Sequence, residues 1–304
     1  MKLSSIRNEL FYSRNDPNDQ RLGDIVMSDI YDYEKTEVVI VGCPQDIGVQ
    51  RNKGRAGADK APEEIRKALY KYPVTHEHSN LKIFDSGDIK TSGTLEEIHK
   101  CLFKVVRSII ADKKKLIILG GGNDISYPDC AALSMQYKNL LVFNIDRHLD
   151  VRSDKIRNSG TPYFQLLEEG YIKPELFYEF GINSFANSPV YIKYLEEKGA
   201  HIFYLAEIRK HGIKNLLQQI IENSNVDSIF CGFDMDVVRA VDAPGVSDSS
   251  PMGLTAMEVC EIADIAASDP RTKIIEITEV NPKHDIGGIT SKLAANIIMR
   301  ALAK

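Results

Sequence analysis

Three side chains that could bind a metal or move a proton follow one apolar segment at alternating positions. Asp146, His148 and Asp150 come directly after the segment 139–145. Residues two apart in an extended strand project to the same face, so these three should share a face if the strand continues through them. Carboxylate oxygens with a single imidazole suit Mn²⁺ or a similar borderline-hard ion.

A second apolar segment, 227–236, ends in a further pair of acids, Asp234 and Asp236. One such pair alone is often only a solvated loop at a strand end. Two clusters on buried apolar segments favour a different interpretation, because acids are almost never fully buried unless they are paired. Burying four carboxylates near one strand edge is prohibitive unless cations neutralise them. The two clusters together therefore predict a divalent-metal site.

A third segment, 115–120, runs into a glycine triplet at 120–122, followed by Asn123. A glycine triplet by itself usually means only a tight turn between a strand and a helix. At the same edge of the sheet, it would let a side chain approach the metals closely.

The elements that must position these residues alternate between strands and helices. The predicted strands are nearly continuously apolar, which is typical of a parallel sheet buried on both faces; they are 37–42, 81–87, 115–120, 139–146, 176–182, 200–205, 227–236 and 272–280. Amphipathic helices are predicted at 61–70, 95–112, 189–199, 213–223, 255–268 and 289–302. This alternation predicts an α/β fold with three αβα layers around a doubly wound, mostly parallel sheet of about eight strands. Ligands bind beyond the carboxyl ends of the strands in such sheets.

Composition narrows the class of protein. The chain has 304 residues, 43% of them hydrophobic, and a formal charge of -5, which argues against a nucleic-acid-binding protein. The first residues show no signal-peptide pattern, and no apolar run approaches the roughly 20 residues that cross a bilayer. Five widely spaced cysteines indicate reduced core thiols rather than a disulfide or zinc framework. We expect a cytoplasmic protein that binds neither nucleic acid nor a membrane.

Four ordered motifs resemble those of the arginase-like ureohydrolase superfamily. NIDRHLD (144–150) resembles the family's DAHxD motif, GFDMDVV (232–238) its SxDxD motif, TEVNP (278–282) its ExNP motif, and LGGGND (119–124) its GGDH or GGGHE motif. Further segments are similar to the formimidoylglutamase branch; they are 48–62, 120–127, 158–165, 181–188 and 242–254. The resemblance begins near residue 38, so we interpret 1–36 as an N-terminal extension and 37–304 as a single arginase-like domain.

The resemblance implies a binuclear manganese site. The first metal would take Asn123, at the position of the family's histidine, together with Asp146, Asp150 and Asp234. The second metal would take Asp146, His148, Asp234 and Asp236, with Asp146 and Asp234 bridging. The family attacks an amidine or guanidine carbon with a metal-bound hydroxide. Asp150 would then carry the hydroxide proton to the departing nitrogen, and Glu279 of the TEVNP motif would pair with the cationic amidine.

Several residues are candidates for holding the rest of the substrate. Arg152 lies two residues after Asp150, and its guanidinium would suit the carboxylates of a formimidoylglutamate. Weaker candidates are two loop arginines and two hydroxyl residues, Arg51, Arg55, Ser159 and Thr161. A solvated loop position is the alternative interpretation for each of them.

Four residues depart from the family pattern, the milder changes being Asp124 and Pro128. Asn123 offers only a neutral amide oxygen, a poorer donor to Mn²⁺ than imidazole, so we predict a weakened first metal site and an intact second site, with one or two Mn²⁺ per chain. Arg147 stands where the family has a small residue. Strand parity would point it away from the metals, in an ion pair under a covering helix.

Three functions remain open at this stage. The first is hydrolysis of a linear amidine, N-formimidoyl-L-glutamate above all, to L-glutamate and formamide. The second is an agmatinase-like or guanidino-acid ureohydrolase, since loop residues set specificity. The third is a non-catalytic homologue of the arginase fold, which Asn123 alone supports. The resemblance also implies a homo-oligomer.

Overall fold

The computed structural model describes residues 3–4, 6–78 and 80–303. Within these residues, nine strands form one sheet in the order β1-β3-β2-β4-β9-β8-β5-β6-β7. The strands are β1 (Leu3–Ser4), β2 (Val38–Gly42), β3 (Ile83–Ile89), β4 (Lys115–Leu119), β5 (Leu140–Ile145), β6 (Phe177–Ile182), β7 (His201–Tyr204), β8 (Ser228–Asp234) and β9 (Thr272–Thr278). All neighbours pair in parallel except β1 and β3, which are antiparallel.

Helices cover both faces of the sheet. They are α1 (Leu22–Ile25), α2 (Ile47–Arg51), α3 (Ala61–Leu69), α4 (Leu95–Ala111), α5 (Ser126–Gln136), α6 (Pro162–Glu168), α7 (Pro189–Lys198), α8 (Leu205–His211), α9 (Ile213–Asn223), α10 (Ala256–Ser268) and α11 (Ile289–Leu302). Apolar residues of α3 and α8–α11 pack in a core on one face, and those of α4–α7 pack in a second core on the other face. The three-layer αβα architecture predicted from the sequence is confirmed.

The alternation of side chains along each strand supplies both cores. In β4, Ile117 and Leu119 face the first core, while Leu116 and Ile118 face the second. A strand that is buried on both faces has no polar side, which is why its sequence is continuously apolar. Local signals set the helix ends as well: at α4, Thr94 accepts a hydrogen bond from the Glu97 amide at 3.3 Å.

The eight predicted strands are all present, and β1 is an addition from the N-terminal segment. Leu3 pairs with Ile89 at the outer edge of β3, and the side chains of Leu10 and Leu22 are buried in the core that contains α3. Parts of the described segment before β2 therefore pack against the domain. No helix in the described part of the chain is both long enough and apolar enough to cross a membrane.

The order of the strands determines where chemistry can occur. The strands β4, β9, β8 and β5 lie side by side and run in the same direction. Their carboxyl ends therefore meet at one edge, and the residues that follow them share one loop region.

Candidate active site

Five potential ligands come together at this edge, and we call them the acidic cluster: Asp146, His148, Asp150, Asp234 and Asp236. Ligand atoms of Asp146, His148 and Asp236 lie within 4.8 Å of one another, as do those of Asp146, Asp150 and Asp234. The His148 Nδ1 atom is 3.2 Å from Asp236 Oδ2 and 3.6 Å from Asp146 Oδ1. Asp146 belongs to both groups, as expected of a bridging ligand.

From the sequence, we grouped Asp146, His148 and Asp150 by assuming that the strand continues through them, and this assumption is wrong. Strand β5 ends at Ile145, and the residues after it form a loop. Asp146 Oδ1 accepts a hydrogen bond from the His148 amide at 2.7 Å, which turns the backbone at once. Asp150 then adopts a left-handed conformation with φ of 45°. The loop, rather than a continuing strand, brings these side chains together, and such backbone strain is common at functional sites.

Burial shifts the pKa values of three acids in the cluster. Burial raises the pKa of Asp146 to about 6, and the nearby charge of Asp236 adds to the rise. Burial and neighbouring carboxylates also raise the pKa of Asp150 and that of Asp234. For His148, burial lowers the pKa, but the surrounding carboxylates, Asp236 first, outweigh burial and raise it overall.

The donor set fits a divalent cation. Buried carboxylates packed this closely repel one another unless protons or cations compensate them. Among the described residues, the buried Oδ1 of Asp236 and the buried Oε2 of Glu279 have no hydrogen-bond partner. Unsatisfied buried oxygens are rare in folded proteins, and a bound cation would satisfy these two. Oxygen ligands with one imidazole suit Mn²⁺.

Glu279 follows β9 and lies at the same edge as the acidic cluster. Its φ of 62° is left-handed, and its amide donates to the Gly121 carbonyl at 2.8 Å. The Glu279 Oε1 atom accepts a hydrogen bond from the backbone N–H of Asn123, also at 2.8 Å. Burial raises the pKa of Glu279 to about 8.

The glycine triplet before Asn123 allows two loops of the site to approach each other closely. A Cβ at Gly121 would overlap the Gln45 carbonyl, so a larger residue would push the loops after β2 and β4 apart. Asn123 itself is buried, and its Nδ2 donates to Asp150 Oδ2 at 2.7 Å. The structure therefore brings Asn123 to the acidic cluster, with the amide nitrogen nearest to the carboxylates.

A cavity of about 530 Å³ opens above the cluster. His148, Asp150, Asp234, Asp236 and Glu279 contribute to its lining.

Three of the predicted substrate residues line the same cavity, namely Arg55, Arg152 and Ser159. Arg152 donates to Asn52 Oδ1 at 3.0 Å, and Ser159 accepts from Asn52 Nδ2 at the same distance. Arg55 is more fully engaged, because it donates to the carbonyls of Val246 and Ser247 at 2.5 and 3.1 Å.

The other two predicted substrate residues do not line this cavity. Arg51 forms an ion pair with Glu96 at 2.7 Å. Thr161 is buried, and its hydroxyl donates to the Asn158 carbonyl at 2.9 Å. Both side chains stabilise the loops around the cavity.

The sequence predicted that Arg147 would form an ion pair under a covering helix. The structure places its ion pair in a loop instead. Its guanidinium donates to Asp248 Oδ2 at 3.0 Å, in a loop at the rim of the cavity. The same carboxylate oxygen lies 3.4 Å from His148 Nε2. Sequence reasoning missed Asp248, since one acid in a polar loop carries no signal until the fold places it beside a histidine.

Comparison with known proteins gives a consistent picture. The sequence model described as the Arginase family matches residues 36–303. Formimidoylglutamase from Lysinibacillus sphaericus is 33% identical over 298 residues, which cover 93% of this chain and 89% of that protein.

Solved structures are similar over nearly the whole chain. Formimidoylglutamase from Bacillus subtilis superposes with a TM-score of 0.89 at 30% identity, covering 96% of this chain and 94% of that one. Formiminoglutamase from Trypanosoma cruzi, solved with Mn²⁺, has a TM-score of 0.87 at 32% identity, with 93% and 97% covered.

Proposed function

Because this chain belongs to the arginase family, we propose that it is a metal-dependent hydrolase that converts N-formimidoyl-L-glutamate to L-glutamate and formamide. The observation that carries the proposal is one cavity that joins the buried carboxylate of Glu279, the acidic cluster and the guanidinium of Arg152. A cationic amidine at one end of a substrate and the carboxylates of its glutamate part would meet complementary charges there. Relatives named formimidoylglutamase support the same substrate.

We propose that two groups of residues hold Mn²⁺. Asp146, His148, Asp234 and Asp236 would hold the better-formed position. Asn123, with Asp146, Asp150 and Asp234, would hold the weaker one. Bound dications of this kind supply Lewis-acid chemistry, lowering the pKa of a water and neutralising the surrounding carboxylates.

The chain's own residues perform the remaining tasks. Glu279, whose Oε2 has no partner among the described residues, pairs with the amidinium and orients its carbon. Asp150 accepts a proton from the attacking water and delivers it to the glutamate nitrogen. The bond between that nitrogen and the amidine carbon breaks as the oxygen of the water adds, which leaves formamide and glutamate. General acid–base transfer of this type contributes about 10²–10⁴-fold to a rate.

A substrate panel tests the proposal. The purified protein, loaded with Mn²⁺, is assayed for hydrolysis of formimidoylglutamate, agmatine and arginine at equal concentrations. We expect formimidoylglutamate to be turned over far faster than either guanidine. Preferential hydrolysis of a guanidine would identify the protein as an agmatinase-like enzyme instead, and inactivity toward all three in the Mn²⁺-loaded state would indicate a non-catalytic homologue.

A further inference from the structure

The side-chain amide of Asn123 has two chemically different ends, the oxygen and the nitrogen, and only the oxygen can ligate a metal. Its Nδ2 donates to Asp150 Oδ2 at 2.7 Å and lies 3.5 Å from Asp146 Oδ2. Its Oδ1 accepts hydrogen bonds from Ser126 at 3.1 Å and from Thr278 at 3.0 Å, on the side away from the cluster. An amide NH₂ has no lone pair for a cation, so Asn123 must rotate by about half a turn before its oxygen can serve as a ligand.

The number of protons available to Ser126 determines the orientation of the Asn123 amide. The Ser126 Oγ atom lies between Asn123 Oδ1, at 3.1 Å, and Glu276 Oε1, at 2.5 Å. A hydroxyl has one proton to donate. If Glu276 is ionised, it takes that proton, and Ser126 can only accept from Asn123. If Glu276 carries a proton, it can donate to Ser126, and Ser126 can then donate to the Asn123 oxygen.

Thr278 can follow either orientation. Its Oγ1 lies 3.0 Å from Asn123 Oδ1 and 3.3 Å from the Phe233 carbonyl. When its proton points to Phe233, the hydroxyl accepts from Asn123; when it points to Asn123, it donates. Glu276 is thus the group that selects the direction of the chain of hydrogen bonds.

We propose that Glu276, acting through Ser126, determines which end of the Asn123 amide faces the acidic cluster and thereby controls Mn²⁺ binding at the weaker position. Ionised Glu276 turns the amide oxygen towards the cluster, whereas protonated Glu276 turns the nitrogen towards it. Glu276 is a positioning residue in this scheme, since it touches neither metal nor substrate. The inference rests on the proposed metal-dependent function and adds a control over one of its metals.

The surroundings of Glu276 allow both states. Its side chain is fully buried, and no ion pair in the described part of the chain includes it. Burial raises the pKa of Glu276 to about 7, although the neighbouring Asp129 and the hydrogen bond with Ser126 oppose the rise. The titratable groups that interact with it are Cys43, Asp124, Asp129, Cys130 and Tyr163.

The test is Mn²⁺ titration of the full-length protein by calorimetry, with electron paramagnetic resonance to separate coupled from isolated ions. Glu276→Gln keeps the shape of the side chain and can donate to Ser126, as protonated Glu276 does. We expect it to weaken the weaker class of Mn²⁺ sites by about tenfold or more, the usual scale for residues behind a ligand, and to leave the stronger class unchanged. If this variant does not fold, Glu276→Met, which also frees the Ser126 proton, is expected to show the same loss.

Two controls separate this relay from a simple loss of charge. Asp129→Asn replaces a neighbouring buried carboxyl, which does not contact Ser126, by an amide that can still donate to Glu276, so it should leave the weaker class intact. In a Ser126→Ala background, Glu276→Gln should have no further effect on the weaker class. The inference would be overturned if the Glu276 and Asp129 variants weakened both classes of Mn²⁺ sites to the same extent. It would also be overturned if Glu276→Gln kept its full effect in the Ser126→Ala background. In both cases the proposed hydrolase function would stand. Wild-type protein that never binds a second Mn²⁺ would also overturn it, and wild-type protein that binds none would overturn the proposed function as well.

Discussion

In the metal site that we propose, Asn123 stands where a histidine would complete the weaker set of ligands. Its amide nitrogen donates to Asp150, so a hydrogen bond stabilises that carboxylate. A neutral amide oxygen is a poorer donor to Mn²⁺ than imidazole even after it rotates. We therefore propose that this one side chain decides how many metals the site retains.

Asn123→His should raise both Mn²⁺ occupancy and turnover. An imidazole supplies a lone pair without any reorientation of an amide, so we expect the weaker class of Mn²⁺ sites to tighten by about tenfold, within the range for changes in and around ligand shells. Calorimetric titration and steady-state rates provide the measurement. Unchanged occupancy and rate would show that Asn123 does not limit this position.

Arg152→Ala should raise KM for formimidoylglutamate more than it lowers kcat. Loss of a hydrogen bond to a charged group costs about 1.5–3 kcal/mol, which corresponds to roughly 10–100-fold in KM. Arg51→Ala is the matched control, because it removes the same charge from a residue outside the cavity. If the two variants have the same KM, Arg152 is not part of the substrate site.

At the scale of elements, the buried ion pair between α3 and β3 shows how a charge can support the fold away from the site. Arg66 donates to both carboxylate oxygens of Asp85, at 2.7 and 3.0 Å, and also to Asp88. Arg66 and Asp85 are both buried. Neither charge has water to solvate it, so each depends on the other.

Arg66→Ala should therefore lower the free energy of unfolding by about 3–5 kcal/mol, because it leaves the Asp85 carboxylate buried without its partner. Lys67→Ala is the control on the same helix; its ion pairs are exposed, and we expect a change below about 1 kcal/mol. Urea unfolding followed by circular dichroism gives both values. Equal effects of the two variants would contradict this account of the pair.

The elements were predictable to a large extent, and the loops between them were not. Continuous apolar runs identified β4 and β5 because a strand buried on both faces has no polar positions. The two-residue β1 was missed, since two residues carry no periodic signal. The positions of Asp150 and Asp248 depend on loop conformation, for which alternation along a strand gives no information. The motif order nevertheless located the whole acidic cluster.

On the scale of the whole molecule, the buried acids link stability to both pH and metal. In the metal-free protein, burial raises the pKa of Asp146 to about 6 and that of Glu279 to about 8. A folded protein that holds protons which the unfolded chain releases becomes less stable as pH rises. The loss begins near the ordinary carboxyl pKa of about 4 and continues to the raised values.

We therefore expect the free energy of unfolding of the metal-free protein to fall between pH 5 and pH 8, a range set by those pKa values. Mn²⁺ should oppose this fall, because it binds the ionised carboxylates and so stabilises the folded state increasingly as pH rises. Urea titrations across this range, with and without Mn²⁺, provide the comparison. Metal-free stability that rises with pH would mean that the acids are compensated by something other than protons or metal.

The central claim is that the acidic cluster exists to hold divalent metal, and metal content tests it most directly. Wild-type protein and Asp146→Asn are dialysed to equilibrium against saturating Mn²⁺, and bound manganese per chain is measured by elemental analysis. The account predicts that wild-type protein retains tightly bound manganese together with a weaker fraction. It also predicts that the variant loses most of both, because Asp146 belongs to both groups of ligands. Wild-type protein that is as empty as the variant would contradict the claim.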